Sequence, residues 1–187
     1  MRYTMKGRIR RILCECLNSN ETNPIKLFYK IACMDFVRIH GPEHHFLDGA
    51  CILTAFHNAG GNVDLREGLN KIADESLKMP GGICGRWGVC GAVTSIGSAL
   101  SIIDRTGPLS EDDWGKHMQY TSNALKSLSE TGGPRYCKRD AFFAMKSAIE
   151  YINENYEIKI PVSEIKCVFS HRNEQCLKER CPFYGKN

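Results

Sequence analysis

The chain has 187 residues, ten cysteines, six histidines and a net charge of +4. That length suits one domain with its own hydrophobic core, so disulfide staples are not required for folding. No apolar run reaches the roughly 18 residues of a membrane-spanning helix, so a membrane-spanning protein is set aside, and so modest a charge gives only weak support to a nucleic-acid partner.

The start is basic, with Arg2, Lys6, Arg8, Arg10 and Arg11, and it meets only the brief apolar patch Ile12-Leu13-Cys14 before Glu15 interrupts. This is not the pattern of a secretory signal. Residues 1–22 are expected to form a basic, solvated segment carrying Cys14-x-Cys16, and the protein is expected in the cytoplasm. There, clustered cysteines more often bind metal or do redox work than form disulfides.

From Asn23 the pattern turns helical. Pro24 suits a first helical position, and Ile25, Phe28, Ile31, Ala32 and Phe36 recur at spacings of three and four until Gly41-Pro42. Pro42 opens a second, largely buried helix with Phe46, Leu47, Ala50, Leu53 and Phe56, which Gly60-Gly61 stops. Asp64 with Glu67 caps a third helix running to about Lys78. After a glycine-rich loop, the apolar, small-residue run from Val89 predicts a central packed helix. Ser110 with Asp113 opens another, running to Glu130, and the last long helix spans about Arg139 to Tyr156. Glu157 to Ile160 looks strand-like. The expected fold is mainly α: a compact bundle of about six helices over residues 23–160, followed by a small cysteine-rich knuckle at 161–187.

Four constellations carry chemistry. His40-Gly41-Pro42-Glu43-His44-His45 gathers three imidazoles and a carboxylate at a helix start, with Asp48 placed to orient a ring. His44 and His45 are read as metal ligands or proton-transfer groups, against the plainer reading of buried, satisfied histidines. The loop from Gly81 to Gly91 surrounds Cys84 and Cys90 with glycines, and Gly85, Arg86, Gly88 and Gly91 are candidates for approaching a cofactor or anion. Cys137 follows Gly132-Gly133-Pro134 and is flanked by Arg135, Lys138 and Arg139. Helix starts and neighbouring cations favour a thiolate, so lowered pKa values are expected at Cys90 and Cys137. In the tail, Cys167, His171, Cys176 and Cys181 have the donor types of a zinc site or of three ligands to an iron–sulfur cluster. Cys33 and Cys51 read as core thiols.

Taken together, HGPEHH at His40 to His45, PGGICGRWGVCGA at Pro80 to Ala92, GGPRYCKRD at Gly132 to Asp140 and the cysteine tail from Cys167 to Tyr184 resemble a domain family of unknown function common in anaerobic archaea and bacteria. Many of its members have a second cysteine where this chain has Tyr136. The glycine–cysteine loop is also similar, more weakly, to the C-GCAxxG-C-C family of redox proteins. The resemblance implies a redox, radical-SAM or methyltransferase protein as partner. The expected function is a metal-binding, iron–sulfur redox or sulfur-handling protein with Cys84, Cys90, Cys137 and His44 or His45 at its centre and zinc as the alternative metal. A zinc-stabilised interaction or nucleic-acid-binding module and an enzyme with a cysteine nucleophile and histidine base are the rival functions.

Overall fold

The computed structural model describes residues 3–185, so Arg2 of the basic start and the last two tail residues lie outside the described part. Among the described residues, eight α-helices build a mainly helical bundle: α1 Met5–Leu17, α2 Pro24–Ala32, α3 His44–Asn58, α4 Leu65–Lys78, the single turn α5 Ile83–Arg86, α6 Gly91–Ile103, α7 Lys116–Thr131 and α8 Cys137–Asn155. No helix is long and apolar enough to cross a membrane among the described residues.

The centre of the bundle is α3, in which every residue from His44 to Phe56 is buried. A helix covered all round needs neighbours on every side, and α1, α2, α4, α6 and α8 supply them. Its closest partner is α6. The two backbones meet at Gly49, whose amide donates to Ser95 Oγ at 2.9 Å and where a Cβ would stand 2.3 Å from the Ser95 carbonyl oxygen. The apolar run from Val89 thus packs on the central helix without being it. Its outer side, with Thr94, Gly97, Ser98 and Ser101, floors an open groove of about 1010 Å³ between α4 and α7.

Local chemistry explains the boundaries. Asn23 caps α2 by accepting from the Ile25 and Lys26 amides, with Pro24 at the first position, and Asp64 Oδ1 accepts from the Glu67 amide at 2.9 Å to open α4. The first predicted helix ends early, at Ala32. Beyond it the chain turns back on itself because the buried Glu43 carboxylate takes the Arg38 amide at 2.8 Å and its guanidinium Nε at 3.0 Å. Phe36 and Val37 remain buried without being helical.

Three further expectations change. The basic start is not a solvated tail: α1 buries Ile9, Ile12 and Cys16 against the bundle, and Arg8 donates to the Phe36 carbonyl. Ser110 does not open α7, because its hydroxyl accepts from the Gly107 amide at 2.8 Å and only the short 3-10 turn Glu111–Asp113 follows. No strand forms at 157–160, nor anywhere among the described residues. In place of a partner strand, the Asn153 side chain satisfies both backbone groups of Ile160, at 2.8 and 3.0 Å.

After Pro161 the tail has two 3-10 turns and one isolated bridge between Cys167 and Tyr184. It is anchored by aromatic packing: the Phe183 ring lies 4.8 Å from Phe143 and 5.5 Å from Phe142, and Phe169 stacks on Phe142 at 6.4 Å.

Candidate functional site

The three glycine-bearing motifs meet on one side of the bundle. Segments around Gly41-Pro42, Gly81 to Cys90 and Gly132 to Arg135 line an open cleft of about 870 Å³. At its floor lies a more enclosed pocket of about 30 Å³, onto which His44, His45, Cys84, Cys90, Cys137 and Asp140 all abut. That volume is about one water's share of the liquid. Residues separated by nearly a hundred positions in sequence are thereby brought to one place.

The histidines reach it because they stand in the first turn of α3. A tight turn delivers them, with the His44 amide bonded to the Gly41 carbonyl at 3.2 Å and the His45 amide to that of Pro42 at 2.9 Å. His45 is pressed against the start of α6, where a Cβ on Gly91 would fall 2.0 Å from the imidazole Cδ2. Only glycine leaves room for the ring. His45 Nδ1 is buried without a hydrogen-bond partner, and burial holds the ring's pKa below the ordinary value, against the Met79 carbonyl, which favours the charged form.

His44 has a different setting. Its Nε2 lies 3.2 Å from Lys138 Nζ and its Nδ1 3.5 Å from Asp48 Oδ1. Nε2 also lies 3.4 Å from the Arg38 carbonyl oxygen, while Nδ1 and the Asp48 carboxylate oxygens have no hydrogen-bond partner among the described residues. Burial pushes the His44 pKa well below normal and the Lys138 ammonium beside it acts in the same direction. Lys138 is itself fully buried, between the Phe28 and Phe169 rings at 5.8 and 5.1 Å, and burial brings it down to about 8, against the opposing charge of Asp48. Burial drives Asp48 well above the carboxylate range. Isolated charges in such a place are costly, and burial accordingly moves Asp48, His44 and Lys138 each toward its neutral form.

The thiols differ from expectation. Burial pushes Cys90 strongly upward and Asp140 adds to it, outweighing the Ala92 and Val93 amides that favour the thiolate. Cys137 is pushed up to about 11 by burial, despite the Gly41 amide and Arg135. Both therefore rest as neutral thiols. Desolvation outweighs the helix starts and cations from which lowered values were expected, and Arg86 is turned away to donate to the Gly81 carbonyl. Gly85, Arg86 and Gly88 do line the cleft wall, while Gly91 borders the pocket.

The tail lies apart from this pocket. The Tyr136 hydroxyl is 3.7 Å from Cys167 Sγ, and the nearby charges of Cys167, Cys176 and Cys181 all raise its pKa, behind burial as the main cause. The Lys178 amide donates to Cys176 Sγ at 3.4 Å. His171 is exposed. Among the described residues, no group of three or more His, Cys, Asp and Glu side chains is disposed so that it could hold a metal ion, in the pocket or in the tail. Cys51 is buried as expected, but Cys33 and Cys14 are exposed.

Two residues were not picked out as site residues from the sequence. Lys138 read as a flanking cation, yet it lies in phase with Phe142, Met145 and Ile149 on the buried side of α8, a spacing that marks it as interior. Asp140 is buried and paired with Arg139, whose Nη2 lies 3.0 Å from its Oδ1.

No curated protein and no solved structure matches the chain. A family model does: that of the family of unknown function DUF5714, over residues 12–184. The chain, with its His40 to His45, Gly81 to Gly91 and Gly132 to Asp140 motifs gathered around one pocket, belongs to the DUF5714 family.

Proposed function

We propose that the protein is an enzyme of thiol chemistry, acting on a small molecule that enters the cleft and presents its reactive atom to the floor pocket. The observation that carries this reading is the convergence of Cys90, Cys137 and His45 on one enclosed space. Cys137 is the sulfur nucleophile, being the less strongly raised of the two thiols. His45 rests neutral, which is the state a general base needs, and its unpartnered Nδ1 takes the thiol proton as sulfur forms its bond to the electrophile. The electron pair displaced at the electrophile leaves with the departing group into the cleft. His44 does not act on substrate; Asp48 and Lys138 hold its ring, and with it the turn that presents His45.

A test follows from small neutral electrophiles. Methyl methanethiosulfonate should label Cys137 at a rate that falls by roughly 10²-fold in His45→Gln, read site by site by mass spectrometry, while exposed Cys14 reacts unchanged. Equal rates at Cys137 in both proteins overturn the reading.

A metal-holding role is the second reading, and the tail favours it. The amide two residues after Cys176 donates to that sulfur, and the Phe183 amide stands in the same relation to Cys181, a pattern that supports thiolate ligands. Iron–sulfur chemistry, zinc and a redox, radical-SAM or methyltransferase partner stay proposals for the chain. Metal and acid-labile sulfide analysis after anaerobic purification decides the first two.

A further inference from the structure

The charges around the cleft do not balance. Each buried carboxylate of the site has its own cation: Glu43 with Arg38 Nε at 3.0 Å, Asp140 with Arg139 at 3.0 Å, and Asp48 opposite Lys138. Arg86 and Arg135 also line the cleft, and neither pairs with a carboxylate among the described residues. The surplus is two guanidinium groups on one cleft, with Arg86 at its wall lending one nitrogen to the Gly81 carbonyl.

Backbone donors point the same way. In α1, α2 and α4 a side chain caps the N-terminus, from Thr4, Asn23 and Asp64. In α8, which starts at the pocket, no capping side chain makes a hydrogen bond. The first amides of this helix, 19 residues long, are left to a ligand or to water, whereas the Ala92 and Val93 amides of α6 face the Cys90 sulfur. The α3 start is excluded, because its amides are used by the turn from Gly41.

Helix starts alone would not make a site. One side chain more than nine-tenths buried supplies an independent observation: Arg139, 3% exposed, uses Nε and Nη2 on Asp140 and Pro134 but leaves Nη1 without a partner. Unsatisfied buried donors carry a free-energy cost unless a ligand completes them.

We infer that the cleft recognises a small substrate through an oxyanion group, a carboxylate or a phosphoryl group, held by Arg135, by Nη1 of Arg139 and by the first amides of α8. Arg86 draws the anion in from the rim. This rests on the reading of the pocket as a thiol site and names the class of molecule delivered to it. A guanidinium fork matches either oxyanion in a bidentate manner, so both share the chemistry.

Thermal unfolding of the full chain tests it, in chloride, phosphate and acetate at matched ionic strength. Phosphate or acetate should give a saturable rise in Tm over chloride, phosphate alone indicating a phosphoryl group and acetate alone a carboxylate. Arg135→Gln should weaken the apparent affinity by on the order of tenfold, with its Tm in chloride near that of the wild type. Arg86→Gln, on an exposed turn, serves as a second variant whose folding is not in question. Identical Tm in all three salts, or a rise that survives both substitutions, overturns the inference. If His45→Gln still slows labelling of Cys137 while no anion binds, the anion fails and the thiol site stands; the opposite pair of results reverses that.

Discussion

At Cys137 and Cys90 the physical question is which of three influences sets a thiol's protonation. Both cysteines sit at helix starts beside arginine or lysine, yet burial wins, because removing a sulfur from water penalises its anion more than nearby dipoles relieve it. The consequence is measurable. With the Cys137 thiol pushed up to about 11, its alkylation rate should keep rising through pH 10. A Cys137 profile that levels off near the free-thiol value of about 8.5 would show that the sulfur is solvated.

Lys138 gives a residue-scale prediction of the opposite sign. Its folded pKa, about 8, lies below its unfolded value, so between these two the unfolded chain binds a proton that the native one does not. Its contribution to stability therefore rises with pH across that window. The buried thiols, whose raised values make stability fall with pH, act equally in wild type and in Lys138→Met, whose thioether fits the same aromatic slot. The difference in urea midpoint between the two proteins should therefore move in the wild type's favour from pH 8 toward pH 10; a pH-independent difference would show that Lys138 is not shifted.

Among the elements, α3 and α6 fix the site because glycine lets them approach. Gly49→Ala would drive a Cβ into the Ser95 carbonyl, a backbone atom that cannot swing aside, and should cost about 1–3 kcal/mol or more by urea unfolding. Gly91→Ala meets the His45 ring instead. It should displace the imidazole and slow labelling of Cys137 with a smaller loss of stability. Gly85→Ala has no atom within 4 Å and should be near neutral, which makes it the control.

For the whole molecule, the tail is part of the core it covers. Phe169, Phe183 and Leu177 are buried, and Phe142 packs against both phenylalanines, so deleting everything after Pro161 should expose α8 and destabilise the bundle outright. Metal binding by the tail is better tested with Cys176→Ser and Cys181→Ser. If zinc is held there, each variant should lose metal relative to the wild type while Cys137 labelling is kept; equal metal content in all three proteins would rule the tail ligands out.

Periodicity and capping residues determined α4, α6 and α8 to within a few positions, and the start of α2 but not its end, because Asn23-Pro24, Asp64 with Glu67 and the glycine breaks act through contacts local in sequence. The motifs likewise marked His44, His45, Cys90 and Cys137, since clustered donors beside glycine are visible as composition. What only the tertiary structure decided was the environment of those groups. The covering of Lys138 by Phe28 and Phe169, the partner of each histidine, the absence of a strand at 157–160 and the rise of the thiol pKa values depend on atoms more than a few positions away. Local rules cannot count them: desolvation is a property of the whole surroundings, and at this site it outweighs the near neighbours that a sequence displays.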